Sequence, residues 1–164
     1  MNVEDICCSL KYARKLYKLG FRQESIFNWV MIDKNHELYE THKFAAPSET
    51  FKALEKGILI QGKDPFDNGE FIHYPAYTAP ELKLIFPTQN QLTTDEPMTY
   101  LKVIPAPLTK EENSISLIKF YMDDPDLIST NIQIVKSQNE ANARAKMLIY
   151  LVEEGYYTLG ANAG

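Results

Sequence analysis

With 164 residues, 45% of them apolar and 24% charged, the chain is long enough to bury a core of its own without a disulfide or metal staple. Seventeen basic against twenty-two acidic residues give a net charge of −5, which repels duplex DNA unless the cations gather on one face. The longest strongly apolar run, Met147 to Val152, is too short for a bilayer, and the acidic start Met1-Asn2-Val3-Glu4-Asp5 is unlike a secretory leader, so a soluble cytoplasmic protein is expected.

Residues 3–19 read as an amphipathic helix with Ile6, Leu10, Ala13, Leu16 and Tyr17 on its apolar stripe and Gly20 as its stop. Cys7 and Cys8, the two cysteines, fall within it. Neighbours on a helix point about 100° apart, so a mutual disulfide is strained and two reduced thiols are expected, with no structural or catalytic part. The same helix carries Lys11, Arg14, Lys15 and Lys18, followed by Arg22. A solvated face is the plain reading of this cluster, and weak nucleic-acid contact is the alternative.

Residues 25–32 are rich in β-branched and aromatic side chains and predict a strand. A turn at 33–36 then suggests that 38–44 returns as its hairpin partner. Ser48 opens a short helix bearing Phe51 and Leu54 and ending at Gly57, and Ile58 to Ile60 form a small strand. A loop over 62–69 leads to a strand at 71–74. Thr78-Ala79-Pro80-Glu81 has the spacing of a capping box, and the helix it opens must stop before Pro87. Residues 88–98 read as a loop; 100–104, 115–122 and 131–135 read as strands. Ser137 and Glu140 have capping-box spacing too, and open a terminal helix with Ala141, Ala145, Leu148 and Val152 on one face and Gly155 beyond its end.

Short connections favour antiparallel pairing. The expected fold is therefore α+β: one globular domain over 1–164, a mainly antiparallel sheet of short strands packed against N- and C-terminal amphipathic helices, with two short internal helices. Residues from about 156 to 164 are expected to form a loose tail.

Chemistry is harder to place. His36 and His42 lack the i, i+4 spacing that puts two imidazoles on one helix face for zinc, and read as exposed hairpin histidines. His73 with Cys7 or Cys8 would make a thiol–base pair, but nothing in the sequence brings them together. Asp123, Asp124 and Asp126, and likewise Asp64 and Asp67, sit in turn-forming contexts without the spaced ligands of a calcium loop. Tyr39, Tyr74, Tyr77, Tyr156 and Tyr157 fall at element ends or in loops, the best hint of an interaction surface. No catalytic, cofactor-binding or metal-binding residue is assigned, and no cofactor is expected.

Three segments carry a resemblance. They are the first helix with Leu19-Gly20-Phe21-Arg22-Gln23-Glu24-Ser25-Ile26-Phe27-Asn28-Trp29-Val30, the stretch Ala76-Tyr77-Thr78-Ala79-Pro80-Glu81-Leu82 ending at Phe86-Pro87, and Glu140-Ala141-Asn142-Ala143-Arg144-Ala145-Lys146-Met147-Leu148-Ile149-Tyr150-Leu151. Together they make the chain resemble a group of small uncharacterised proteins of bacteriophages, prophages and other bacterial mobile elements. The resemblance implies a genomic setting in a bacterial host and brings no site residue with it. The expected function is a non-enzymatic accessory role through contact with a protein partner or a second copy. A small enzyme with a Cys/His or carboxylate site and a weak nucleic-acid binder using the first helix are the alternatives. No membrane contact is expected. Duplex DNA should bind no tighter than about 10⁻⁴ to 10⁻⁶ M at physiological salt, and a nanomolar titration curve would refute this.

Overall fold

The first helix begins later than its apolar spacing suggests, and the reason is tertiary. In the computed structural model, Val3–Asp5 form one 3-10 turn, Cys7 bridges antiparallel to Thr78, and α1 spans only Leu10–Lys18. The segment between them is extended, because distant partners take its backbone groups. Tyr77 O accepts from Cys8 N at 2.9 Å, Cys8 O accepts from Trp29 Nε1 at 2.9 Å, and Asn139 Nδ2 donates to Cys7 O at 2.8 Å. Ser9 donates its N–H to Asn142 Oδ1 at 2.7 Å and becomes the N-cap residue of α1. Ile6 thus leaves the stripe and lies 37% exposed, while both cysteines are fully buried.

The structure describes residues 2–44, 48–63, 69–88, 92, 99–105, 116–124 and 127–159, and gives the backbone path alone for 42, 44, 99–105, 116–124 and 127–132. The remaining elements are β1 (Phe27–Ile32), α2 (Leu38–Phe44), α3 (Glu49–Lys56), β2 (Ile58–Gln61), β3 (Phe71–Pro75), α4 (Ala79–Ile85), β4 (Thr99–Pro105), β5 (Ser116–Asp124), β6 (Leu127–Ser137) and α5 (Glu140–Glu153). The fold is α+β, as the short connections imply, with its described strands in two antiparallel sheets ordered β2-β1-β3 and β4-β5-β6. No helix among the described residues is long and apolar enough to cross a membrane.

Strand β1 is the middle of the first sheet, with Trp29 opposite Leu59 on one side and Tyr74 on the other. Both of its edges are therefore taken, and 38–44 cannot add a hairpin strand. It forms α2 instead, and Tyr39 tucks under the sheet, stacked 5.9 Å from Phe51 of α3 and bonded through its hydroxyl to Glu55. Ile32, Tyr39 and Phe51 make a small core on that face. On the other face Trp29 and Tyr74 join Cys7, Cys8, Ala13, Leu16, Ala141 and Leu148 in the main core.

Local rules hold at the short helices. Ser48 Oγ accepts from Phe51 N, and Gly57 closes α3 at φ +96°, where an added Cβ would meet Leu10 Cδ2 at 2.7 Å. Thr78 and Glu81 form the expected reciprocal box, and α4 stops as Phe86 turns extended before Pro87. The box at Ser137 does not form. Strand β6 runs through Ser137, which pairs with Ser116, so the N-cap of α5 falls on Asn139, whose side chain accepts from Asn142 N. Glu140 turns instead to Arg144.

Helix α5 is buried on two sides rather than one. Ala141, Ala145 and Leu148 face the main core as expected, with Val152 half-buried beside them; Ala143, Met147 and Leu151 face a second core with Val135 of β6. Beyond it, Tyr157 N donates to Leu151 O at 2.9 Å, Tyr157 bridges Leu92, and Leu159 lies against Gly20. Residues 160–164 lie outside the described residues, as do Asp64, Asp67, Asp126 and most of the 88–98 loop. Replacing the fully buried Leu148 with alanine should cost about 2–5 kcal/mol in a denaturant melt. Lys146, half-buried with Nζ 3.3 Å from Lys136 O and 5.6 Å from the Tyr12 ring, should cost under about 1 kcal/mol when cut to alanine. Equal losses for the two would refute the core position of α5.

Candidate functional site

Helix α1 turns Ala13 and Leu16 inward, fully buried, and leaves Lys11, Arg14, Lys15 and Lys18 exposed at i, i+3, i+4 and i+7. With Leu10 these four cations line an open cleft of about 530 Å³. Lys15 is held by Glu153 at the C-terminal end of α5, with Nζ 2.8 Å from Oε1 and 2.9 Å from Oε2. Lys11, Arg14 and Lys18 make no ion pair with any described residue. No acidic residue stands in the first turn of α1, where one would favour the helix dipole.

Aromatic rings steady the cations around this face. The Arg22 guanidinium lies 3.3 Å from the centroid of Tyr17, which packs edge-on to Tyr74 at 5.3 Å. Arg14 reaches the Tyr74 ring at 5.8 Å, and Lys11 and Lys146 approach Tyr12 at 5.8 and 5.6 Å. The tyrosines singled out in the sequence do not make a surface of their own. Tyr39, Tyr74 and Tyr77 are at most 9% exposed, and Tyr156 and Tyr157 are half-buried. Burial also pushes the Tyr77 phenol up, and its hydroxyl donates to Gln23 O at 3.0 Å.

The thiol–histidine pair does not assemble. Tyr74 faces the cysteines, so His73, its neighbour on β3, belongs to the opposite face of the sheet. Burial pushes the Cys7 thiol up to about 11 and the Cys8 thiol up to about 12, and the nearby Glu81 charge pushes both the same way. The thiolate is the reactive form, so both sulfurs are poor nucleophiles at neutral pH. His36 Nδ1 accepts from Leu38 N at the start of α2, and His42 lies within α2, where hairpin positions were expected. Asp123 and Asp124 end β5. Among the described residues no three His, Cys, Asp or Glu side chains are placed to share a metal ion.

The cationic residues of the cleft were legible in the sequence; Glu153 as their internal counter-ion was not, since 138 positions separate it from Lys15. Comparison with family models, with curated proteins and with solved structures gives no match.

The buried thiols make a direct check. Their ordinary value is 9.0, so between about pH 9 and 11 the folded state holds protons that the unfolded state has lost, and stability falls as pH rises. Both thiols should resist a thiol reagent at pH 8 and react fully in denaturant. Fast labelling of the native protein would refute their burial. Cys8→Ser, which buries a hydroxyl in the thiol's place, should cost about 1–3 kcal/mol.

Proposed function

We propose that the chain is a non-enzymatic accessory protein that acts by protein–protein contact, and that the basic face of α1 makes that contact. The observation that supports this most is the charge pattern of the cleft. Lys11 with Lys15 and Arg14 with Lys18 are like charges at i, i+4, each pair costing the helix about 0.2–0.5 kcal/mol. Lys15 and Lys18 gain something back from the C-terminal dipole, but Lys11, in the first turn, gains nothing. A chain of net charge −5 has gathered four cations within two turns, and the helix dipole favours only Lys15 and Lys18 among them. A partner is the economical reason for such a pattern.

The same cations also suit a nucleic-acid backbone, and two features weigh against it. The overall negative charge opposes a long polyanion. Of the rings beside the cleft, Tyr17 has one face covered by Arg22, Tyr74 is buried, and Tyr12 is approached by both Lys11 and Lys146, so none lies open as a platform for a base. An enzyme of the Cys/His type is disfavoured by the sheet that separates the two groups. The resemblance of the three segments above adds the setting, a bacterial mobile element acting in the host cytoplasm.

A photo-crosslinking residue placed at Lys18 of the full chain should yield discrete protein adducts in bacterial cells. The same residue at Lys52, exposed on α3, should not. Adducts with nucleic acid, or identical adducts from both positions, would overturn the reading.

A further inference from the structure

Resting on that reading, we propose that the α1 cleft takes an acidic protein segment, whose carboxylates displace Glu153 from Lys15 and pair with Lys11, Arg14 and Lys18. The fold itself supplies the first observation. A carboxylate already sits in this strip, both Glu153 oxygens lying within 2.9 Å of Lys15 Nζ, on a pair that is 46% and 43% exposed. An ion pair this open to water is weak and exchangeable. Glu153 therefore occupies one quarter of the cationic strip in the way a partner's carboxylate would.

Size gives the second argument. From Lys11 to Lys18 is seven residues, about 10 Å along the helix axis at 1.5 Å per residue. That length matches carboxylates repeated over two turns of an acidic helix, or a few residues of extended acidic chain. Arg22 over Tyr17 and Lys146 near Tyr12 border the strip, and even with them it is short for a polyanion tract, whose further charges would run over the rest of a protein with net charge −5. Charge complementarity over a small area steers encounter and sets specificity, so such binding is fast and salt-sensitive. Leu10, lining the same cleft, offers an apolar contact next to the cations.

Fluorescence anisotropy on the full chain can test this with three labelled probes: an oligoglutamate peptide, an oligoglutamine of equal length, and an oligothymidylate of matched charge. Oligoglutamate should bind, weakening severalfold between about 50 and 200 mM salt, while oligoglutamine does not. The combined Lys11→Gln, Arg14→Gln, Lys18→Gln variant should lose about tenfold or more in affinity, since each exposed pair contributes modestly. These side chains are exposed, so a circular-dichroism melt should confirm that the variant folds. Lys52→Gln should bind like the parent. Glu153→Gln should tighten binding about two- to fivefold by freeing Lys15, an effect that loss of helix docking would not produce. No binding of oligoglutamate, binding indifferent to the triple variant, or tighter binding of oligothymidylate would each overturn the proposal. If the Lys18 crosslinks to protein persist in any of those cases, the contact through α1 stands and only its acidic partner falls.

Discussion

A buried stretch of extended backbone has to find a partner for its N–H and C=O groups, and in this protein Cys7 and Cys8, running on into the half-buried Ser9, impose that demand on the main core. Four hydrogen bonds answer it, from the Trp29 indole, the Tyr77 carbonyl, and the side chains of Asn139 and Asn142. Those residues belong to β1, to the link between β3 and α4, and to the start of α5. One short segment thus joins the first sheet to the last helix. Each bond left unmade would strand a buried polar group at a cost of about 1–3 kcal/mol. The segment also fixes where α1 begins, and with it which side of α1 faces outward.

A second hub braces the same region. Glu81 caps α4 through Thr78 and also accepts from Ile26 N at 2.9 Å and Ser25 Oγ at 3.2 Å, where the chain leads into β1. Tyr77 donates to the carbonyl of Gln23 just upstream. The connection from α1 to β1 is therefore held from the side by the β3–α4 turn. Arg144, only 8% exposed, ties α5 to α4 by lying 5.7 Å from the Phe86 ring while Glu140 balances its charge. Polar groups here do the orienting, and the apolar residues around them supply the burial.

The elements that could be read from the sequence are those that close within three or four residues. The caps of α3 and α4, the stop at Pro87 and the glycine ends at Gly20 and Gly57 need only their neighbours. The misread elements are decided from far away. Residues 3–9 have a helical stripe, but past the 3-10 turn at Val3–Asp5 the chain is pulled straight by partners at 29, 77, 139 and 142. Residues 38–44 have strand-like side chains, yet the edges of β1 are filled by β2 and β3. Ser137 had the right spacing for a cap and was claimed by β6. The sequence left His73 and the cysteines unconnected, and the structure separates them: His73 and Tyr74 alternate across a strand, so the burial of Tyr74 beside the thiols sends His73 away.

The basic face follows from how α1 is stabilised. A helix of nine residues is too short to persist alone in water, so its local side-chain pairs cannot be what holds it. It persists because Ala13 and Leu16 are buried and because Ser9 is bonded to α5 before the first turn begins. Once tertiary contacts hold the helix, its outer positions no longer need to favour helix formation. They can tolerate four cations in two turns, at a cost of a few tenths of a kcal/mol per like-charged pair. The segment at Cys7-Cys8-Ser9 and the open cleft above α1 are thus two ends of one arrangement: the first makes the helix independent of its surface, and the second shows the freedom that results.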